Sequence, residues 1–412
     1  MLRWMAVLLC ISALAGCEDT PRAPEQPPTR PAAGADSAVV DDEGALADDP
    51  AVARFRATDA GEAMQAQGEE LFVLSLGRDY RSVWCLCWLT DETLLVVSRY
   101  PGGSATRTLN FATVSTEDGD LTPIGEVPAA TYCAWHVFAT GDDRAAWVSL
   151  FRTYPQVELA GTLRLDLTAR SIEHVGPPEA LRDVPLFADT ASDGERLALS
   201  VVPRLRVLDG LGREVASASV PDDLYVYSAL SRPMRTPDGA IAAALRTARQ
   251  PDVGYTVDEP ATDVSVLQDG GGGEWQVART LRPAGSDEVP SPIDDDVREW
   301  CCLDCPGLSA DAGVVCARER LEFEGPDCVS VFGRILVWRS DGSRVVVCAW
   351  GRCCVPWSDR AGWRTACLLG DNPAEPAYAH HIGPWEGRPA ISPGAELVAW
   401  AIDGRVHVVR VP

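Results

Sequence analysis

The residues of this 412-residue chain best suited to chemistry are its fourteen cysteines and five histidines. Nine cysteines fall in one stretch, at Cys301, Cys302, Cys305, Cys316, Cys328, Cys348, Cys353, Cys354 and Cys367, and three more are Cys85, Cys87 and Cys133. Cys302-Leu303-Asp304-Cys305 has the two-residue spacing of a zinc or thiol-redox pair. No second well-spaced pair completes a structural zinc set, and no histidine follows for haem attachment. Asp294-Asp295-Asp296 is a run of carboxylates without the spaced oxygen ligands of a calcium loop, which reads as solvated charge. His136, His174 and His407 sit in or near strand-like runs, and His380-His381 lies in a long insertion. No Gly-x-Ser-x-Gly elbow supplies a serine nucleophile. The sequence therefore predicts no catalytic residue, no metal ligand set and no cofactor.

Charge narrows the partners. The 36 basic residues are all arginine and face 60 acidic ones, a net charge of -24. Without lysine, Schiff-base chemistry and a phosphate-loop lysine are excluded. So acidic a chain repels nucleic-acid phosphates and anionic lipid headgroups, and no local basic patch offsets this.

The amino terminus carries an address. Arg3 precedes an apolar run too short to span a bilayer, and Leu14-Ala15-Gly16-Cys17 follows it. This resembles a bacterial lipoprotein signal peptide. The resemblance implies cleavage after Gly16 and a diacylglycerol on the Cys17 thiol, with several acyl chains making a stable anchor. It places the rest of the chain in the bacterial cell envelope, outside the cytoplasm, on either the inner or the outer membrane. Residues 18–50 hold six prolines, nine acidic and two basic side chains, too few apolar groups to offset the entropy of folding. Expected domains are a signal peptide at 1–16, a lipidated cysteine with a flexible acidic tether at 17–68, and a folded domain at 69–412.

Beyond residue 68 the pattern is all-β. One turn-plus-strand unit recurs six times: Thr90-Asp91-Glu92, Gly141-Asp142-Asp143, Ser192-Asp193-Gly194, Pro237-Asp238-Gly239, Ser309-Ala310-Asp311-Ala312 and Ser392-Pro393-Gly394-Ala395, each before an apolar run. The turn residues supply aspartate-capped or left-handed backbone, and the run after them suits a strand buried on both faces. In five units a second hairpin follows, pairing 108–114 with 121–127, 162–167 with 171–175, 204–208 with 214–218, 263–267 with 275–280, and 335–338 with 344–347. The sixth unit ends one strand short, at 406–411, and the run at 70–76 is the only unassigned strand. If it completes the last unit, a ring closes and no edge is left open.

That arrangement is a six-bladed β-propeller, and its turn-before-strand motif resembles the WD-repeat-like modules of TolB-type propellers. The motifs are short, and Gly394 stands where the pattern has aspartate. A TolB-type protein also has an α/β domain before its propeller, where this chain has a tether, so that family's partners are not carried over. The repeats are spaced 51, 51, 45, 73 and 83 residues apart. A usual blade has about 40 to 50. Insertions are expected around 249–262 and 284–300 and around 351–388, with a seven-bladed ring or a pair of β-sandwiches as alternatives. Tryptophans at Trp84, Trp135, Trp147, Trp338 and Trp400 read as packing between blades.

In an oxidising compartment the twelve cysteines beyond Cys17 are disulfide candidates, with one bridge between the first two blades among Cys85, Cys87 and Cys133. The functional expectation is a monomeric, non-catalytic scaffold for an envelope protein or a glycan, touching the membrane through its lipid alone. The alternative is a lactonase or hydrolase with a metal in the central channel.

Overall fold

The apolar runs that follow the tight turns are strands, and they are buried on both sides. Leu94, Leu95, Val96 and Val97 in one repeat, and Ile241 to Leu245 in another, lose essentially all contact with solvent. A strand buried on both faces needs a sheet packed against each, and a ring of blades provides that at every position. The structure, a computed structural model, describes residues 67–76, 82–99, 108–128, 134–152, 158–176, 178–182, 184, 186, 188–192, 195–200, 205–218, 224–229, 232–249, 263–269, 275–283, 298–324, 329–353, 364–367, 389–402 and 405–412.

Six small antiparallel sheets form the six blades, each running from an inner to an outer strand. Blade one is Ser82–Trp88, Thr93–Arg99, Thr108–Ser115 and Leu121–Pro128; blade two is Ala134–Gly141, Ala145–Arg152, Glu158–Asp166 and Ser171–Val175. Blade three is Ala188–Ala191, Arg196–Ser200, Leu205–Asp209 and Glu214–Ala218. In blade four the inner strand is split into Leu224–Ala229 and Met234–Arg235, both paired with Ile241–Arg249, after which come Asp263–Asp269 and Trp275–Leu281. Blade five holds Arg298–Leu308, Val315–Glu324, Val329–Trp338, Arg344–Cys353 and a fifth strand, Arg364–Cys367.

The last blade closes the ring. Ala390–Ile391, Leu397–Ile402 and Arg405–Arg410 receive Glu69–Ser75 from the start of the domain, with Phe72 opposite Val408 and Leu74 opposite Val406. All five expected second hairpins pair as read. The expected insertions differ in detail. Residues 298–300 belong to the inner strand of blade five, and 364–367 add to that blade's outer edge, so the described residues form six sheets. Part of the long spacing is thus strand length: the first four strands of blade five have 10 or 11 residues, where those of other blades have at most 9.

Apolar clusters fill the wedges between neighbouring blades. One joins blades one and two around Phe111, Leu150 and Leu163; another joins blade six to blade one around Val96, Val406 and Val408. A third runs through blades two, three and four, and a fourth between blades five and six around Trp400.

The turns explain the repeated aspartates. Asp311 accepts from Ser309 Oγ at 2.6 Å and from the Gly313 amide at 2.8 Å, and these bonds hold its carboxyl below the usual carboxylate range. Asp142 accepts from the amides of Arg144 and Ala145 at 2.8 and 2.9 Å. Asp91 departs from this pattern: its Oδ1 receives the amide of Gly394 at 2.8 Å, from the turn of blade six. A Cβ at position 394 would stand 2.9 Å from Asp91 Oδ2. Glycine replaces the expected aspartate there because a carboxylate from the adjoining blade occupies the space.

Candidate functional site

Successive strands of a blade run in opposite directions, so its connections divide between two faces of the ring. The first-to-second and third-to-fourth connections are the tight turns, such as 89–92 and 116–120, and they share one face. The other connections, including 250–262, 282–297 and 354–363, begin and end at the opposite face. Blade five rises on that second face. Its Ser309–Val314 turn stays level with the others, since Ala310 N donates to Pro393 O, so the extra length of its strands extends the other way.

Each inner strand is the end strand of its sheet and turns its unladdered edge toward the central channel. Blades are tied to one another along it. Cys87 Sγ donates to Ala139 O at 3.0 Å, Thr140 Oγ1 to Ala191 O, Thr190 Oγ1 to Pro233 O, and Trp88 Nε1 to Ala390 O at 2.9 Å.

In the half of the channel nearer the tight turns lies a cavity of about 220 Å³ lined by inner strands of blades one, two, four, five and six. Its walls are apolar and aromatic, with Trp84, Trp88, Phe138, Met234 and Leu308 among them. Arg232 enters from blade four, at the break in its inner strand, and its guanidinium donates to Ala139 O and lies 3.7 Å from Cys87 Sγ. It thus crosses the channel to blades one and two. Burial pushes the Cys87 thiol above its ordinary value, and the charge and hydrogen bond of Arg232 pull it back only in part. Cys87 therefore remains a protonated thiol at neutral pH, without the thiolate a nucleophile needs.

The other sequence candidates are dispersed. Cys17, Cys133, Cys328, Cys354, His380, His381 and Asp294 to Asp296 lie outside the described residues. Cys85 and Cys87 share the inner strand of blade one, where Cys85 Sγ donates to Leu86 O. Cys316 and Cys348 pack in the cluster between blades five and six, with the Cys316 sulfur against the site a Gly307 side chain would occupy. The structure shows these four as thiols, with no disulfide among the described residues. Cys301, Cys302, Cys305 and Cys353 have backbone positions in the long strands of blade five, and Cys367 in its four-residue fifth strand. His174 is exposed on the outer strand of blade two; His407 stacks on Trp400 with ring centroids 5.2 Å apart and contacts Glu70. Among the described residues no three His, Cys, Asp or Glu side chains gather in a way that could hold a metal ion.

Sequence reading missed Arg232 and Met234, and assigned Trp84 to packing alone. The only local trace of Arg232 was the Arg232-Pro233 step interrupting a strand-like run.

No family model matches the chain, and no curated protein matches it. Among solved structures, it is similar to the periplasmic gluconolactonase PpgL of Pseudomonas aeruginosa, with 14% identity, a TM-score of 0.33, and coverage of 70% of this chain and 86% of that one. YCF48 bound to D1 peptide has 10% identity and a TM-score of 0.39, covering 85% and 98%. The WD40 domain of SCAP from fission yeast has 9% identity and a TM-score of 0.29, covering 79% and 73%. The β-propeller assignment rests on the ring of sheets itself.

Proposed function

We propose that the protein is a non-catalytic binding scaffold of the bacterial cell envelope, anchored through lipid on Cys17, which presents its long-connection face to a protein or glycan. One observation carries this reading: the connections 250–262, 282–297 and 354–363 and the raised edge of blade five share one face of the ring, whereas the first-to-second and third-to-fourth connections at the opposite face are tight turns. A rigid ring that gathers loops from every blade on one side forms a broad recognition surface. The chain enters the ring at the other face, where Gln67 N donates to Val346 O.

Photo-crosslinking side chains placed on the long strands of blade five, at Glu322 and Glu324, are expected to capture one envelope partner in native membranes. The same groups at Glu117 and Asp143, on the tight-turn face, are expected to capture none. Equal labelling from both faces would reject this orientation. A stoichiometric metal lost together with a hydrolytic activity would replace the scaffold by the enzyme alternative.

Anchoring has its own test. Cys17→Ser is expected to abolish acyl labelling and shift the protein into the soluble fraction or leave it as precursor. Unchanged detergent partitioning would remove the anchor. In the same compartment, the eight cysteines beyond Cys17 other than Cys85, Cys87, Cys316 and Cys348 are left for disulfides. Titration of the denatured, unreduced protein is then expected to find four thiols.

A further inference from the structure

We propose that Cys85, Cys87 and Met234, which line the central cavity together, form a binding site for a single Cu(I) ion. The site rests on neither the anchor nor the recognition face. Blade one's inner strand shifts register between Val83 and Cys85, and beyond that point its pairing is regular, with Cys85 opposite Val97 and Cys87 opposite Leu95. Residues two apart on a strand point the same way. Both side chains accordingly meet the cluster shared with blade two, Cys87 within it and Cys85 packed against it, and both are thiols. Positions two apart on a strand stand about 6.6 Å from each other. A disulfide needs Cβ atoms within about 3.5–4.5 Å, so the pair cannot join without moving the backbone. A metal bonded to each sulfur at about 2.3 Å spans the gap.

The donor set selects the ion. Met234, on the second piece of blade four's inner strand, brings a thioether to the same cavity, and thiolate and thioether sulfur are soft ligands. A structural zinc takes four ligands and an iron–sulfur cluster four cysteines, whereas the described lining offers three sulfurs and no histidine or carboxylate. Cu(I), which two or three soft ligands satisfy, fits that set. Ligation replaces two thiol protons, released to solvent, by one copper ion. It gives up the S–H bonds from Cys85 to Leu86 O at 3.6 Å and from Cys87 to Ala139 O at 3.0 Å. The buried Ala139 O is not orphaned by this, because the Arg232 guanidinium also donates to it.

The experiment offers Cu(I), held as its bicinchoninate complex under ascorbate and without oxygen, to the full exported chain with its disulfides intact. Loss of the complex's colour reads the copper transferred per chain. One ion per parent chain is expected. Cys87→Ser, whose hydroxyl can still donate to Ala139 O, is expected to abolish the transfer, and so is Cys85→Ser at a half-buried position, with both variants melting like the parent. If Cys87→Ser melts early, Cys85→Ser carries the test. Met234→Leu, a volume-conserving change, is expected to weaken the transfer without abolishing it. Cys316→Ser, a thiol in the separate wedge between blades five and six, is expected to leave it unchanged. No transfer to the parent, transfer that survives Cys85→Ser, or transfer lost equally in Cys316→Ser would each overturn the site, and Met234→Leu indistinguishable from the parent would remove the thioether from it.

Discussion

A chain that begins at residue 77 is expected to lose cooperative unfolding and to aggregate. The deletion removes Glu69–Ser75, the strand that joins the start of the domain to its last strand, Arg405–Arg410. Leu71, Phe72 and Leu74 pack against the cluster shared by blades six and one, and burying such side chains contributes up to about 1.5–3 kcal/mol each when complete. Ladder hydrogen bonds add about 1 kcal/mol apiece. The sum is several kcal/mol, comparable with the roughly 5–15 kcal/mol that holds a typical domain folded. Arg405–Arg410 would also become an open edge, a template for pairing with another chain. A finer probe sits one residue before the strand. A Cβ at Gly68 would stand 2.2 Å from Val409 Cγ1 and 3.0 Å from Val347 O. Gly68→Val must therefore move a fully buried valine and backbone, at about 1–3 kcal/mol. Glu69→Ala serves as control, because its 2.9 Å contact with Arg410 joins two largely exposed side chains. Such pairs contribute about 0–1 kcal/mol. Thermal melts and size-exclusion profiles of the three chains test the order, and a truncated chain that melts like the parent would show that the ring does not need this strand.

What the sequence made legible is local. The turn aspartates and the apolar runs after them announce their own backbone, and the closing strand followed from one unit being a strand short. The fifth strand of blade five, Arg364–Cys367, was hidden because four residues without alternation or flanking turn signals carry no strand pattern of their own. The break in the inner strand of blade four was hidden for a related reason: Leu224–Ala229 carries the β-forming run Leu-Tyr-Val-Tyr, but Met234–Arg235 is too short to show a pattern and is defined by its pairing with Ile241–Arg249. The site was least legible. Arg232 meets Ala139 and Cys87 across 93 and 145 residues, and Asp91 meets Gly394 across 303. Contacts made across a closed ring leave no mark in a window of neighbouring residues, so neither the cavity nor the reason for glycine at 394 was open to inspection of the chain alone.

The same distinction between surroundings and local chemistry governs the charged pairs of the ring, and two of them make a matched comparison, one within blade three and one between blades three and four. Asp189, on the inner strand of blade three, is wholly buried; it accepts from Ser149 Oγ of blade two at 2.7 Å and from Arg196 Nη2 at 2.6 Å. Arg196, about nine-tenths buried, reaches on to Thr162 Oγ1 of blade two. Arg235 and Glu195, between blades three and four, are just as close at 2.5 Å, but each side chain is 42% exposed. Distance alone would rate the pairs as equals. Burial predicts otherwise, because a guanidinium left without its carboxylate at the first site cannot recover water. Asp189→Leu is therefore expected to cost about 3–5 kcal/mol, and Glu195→Ala no more than about 1 kcal/mol. Adding Arg196→Met to Asp189→Leu should return most of the loss, since replacing both members of a buried pair by apolar groups is often near neutral. Urea denaturation of the parent, these three variants and Arg196→Met alone reads this directly, the two single variants and the double one giving the coupling. Equal losses at the two sites, or a double variant as unstable as Asp189→Leu, would mean that the wedge between blades two and three holds its shape without this network.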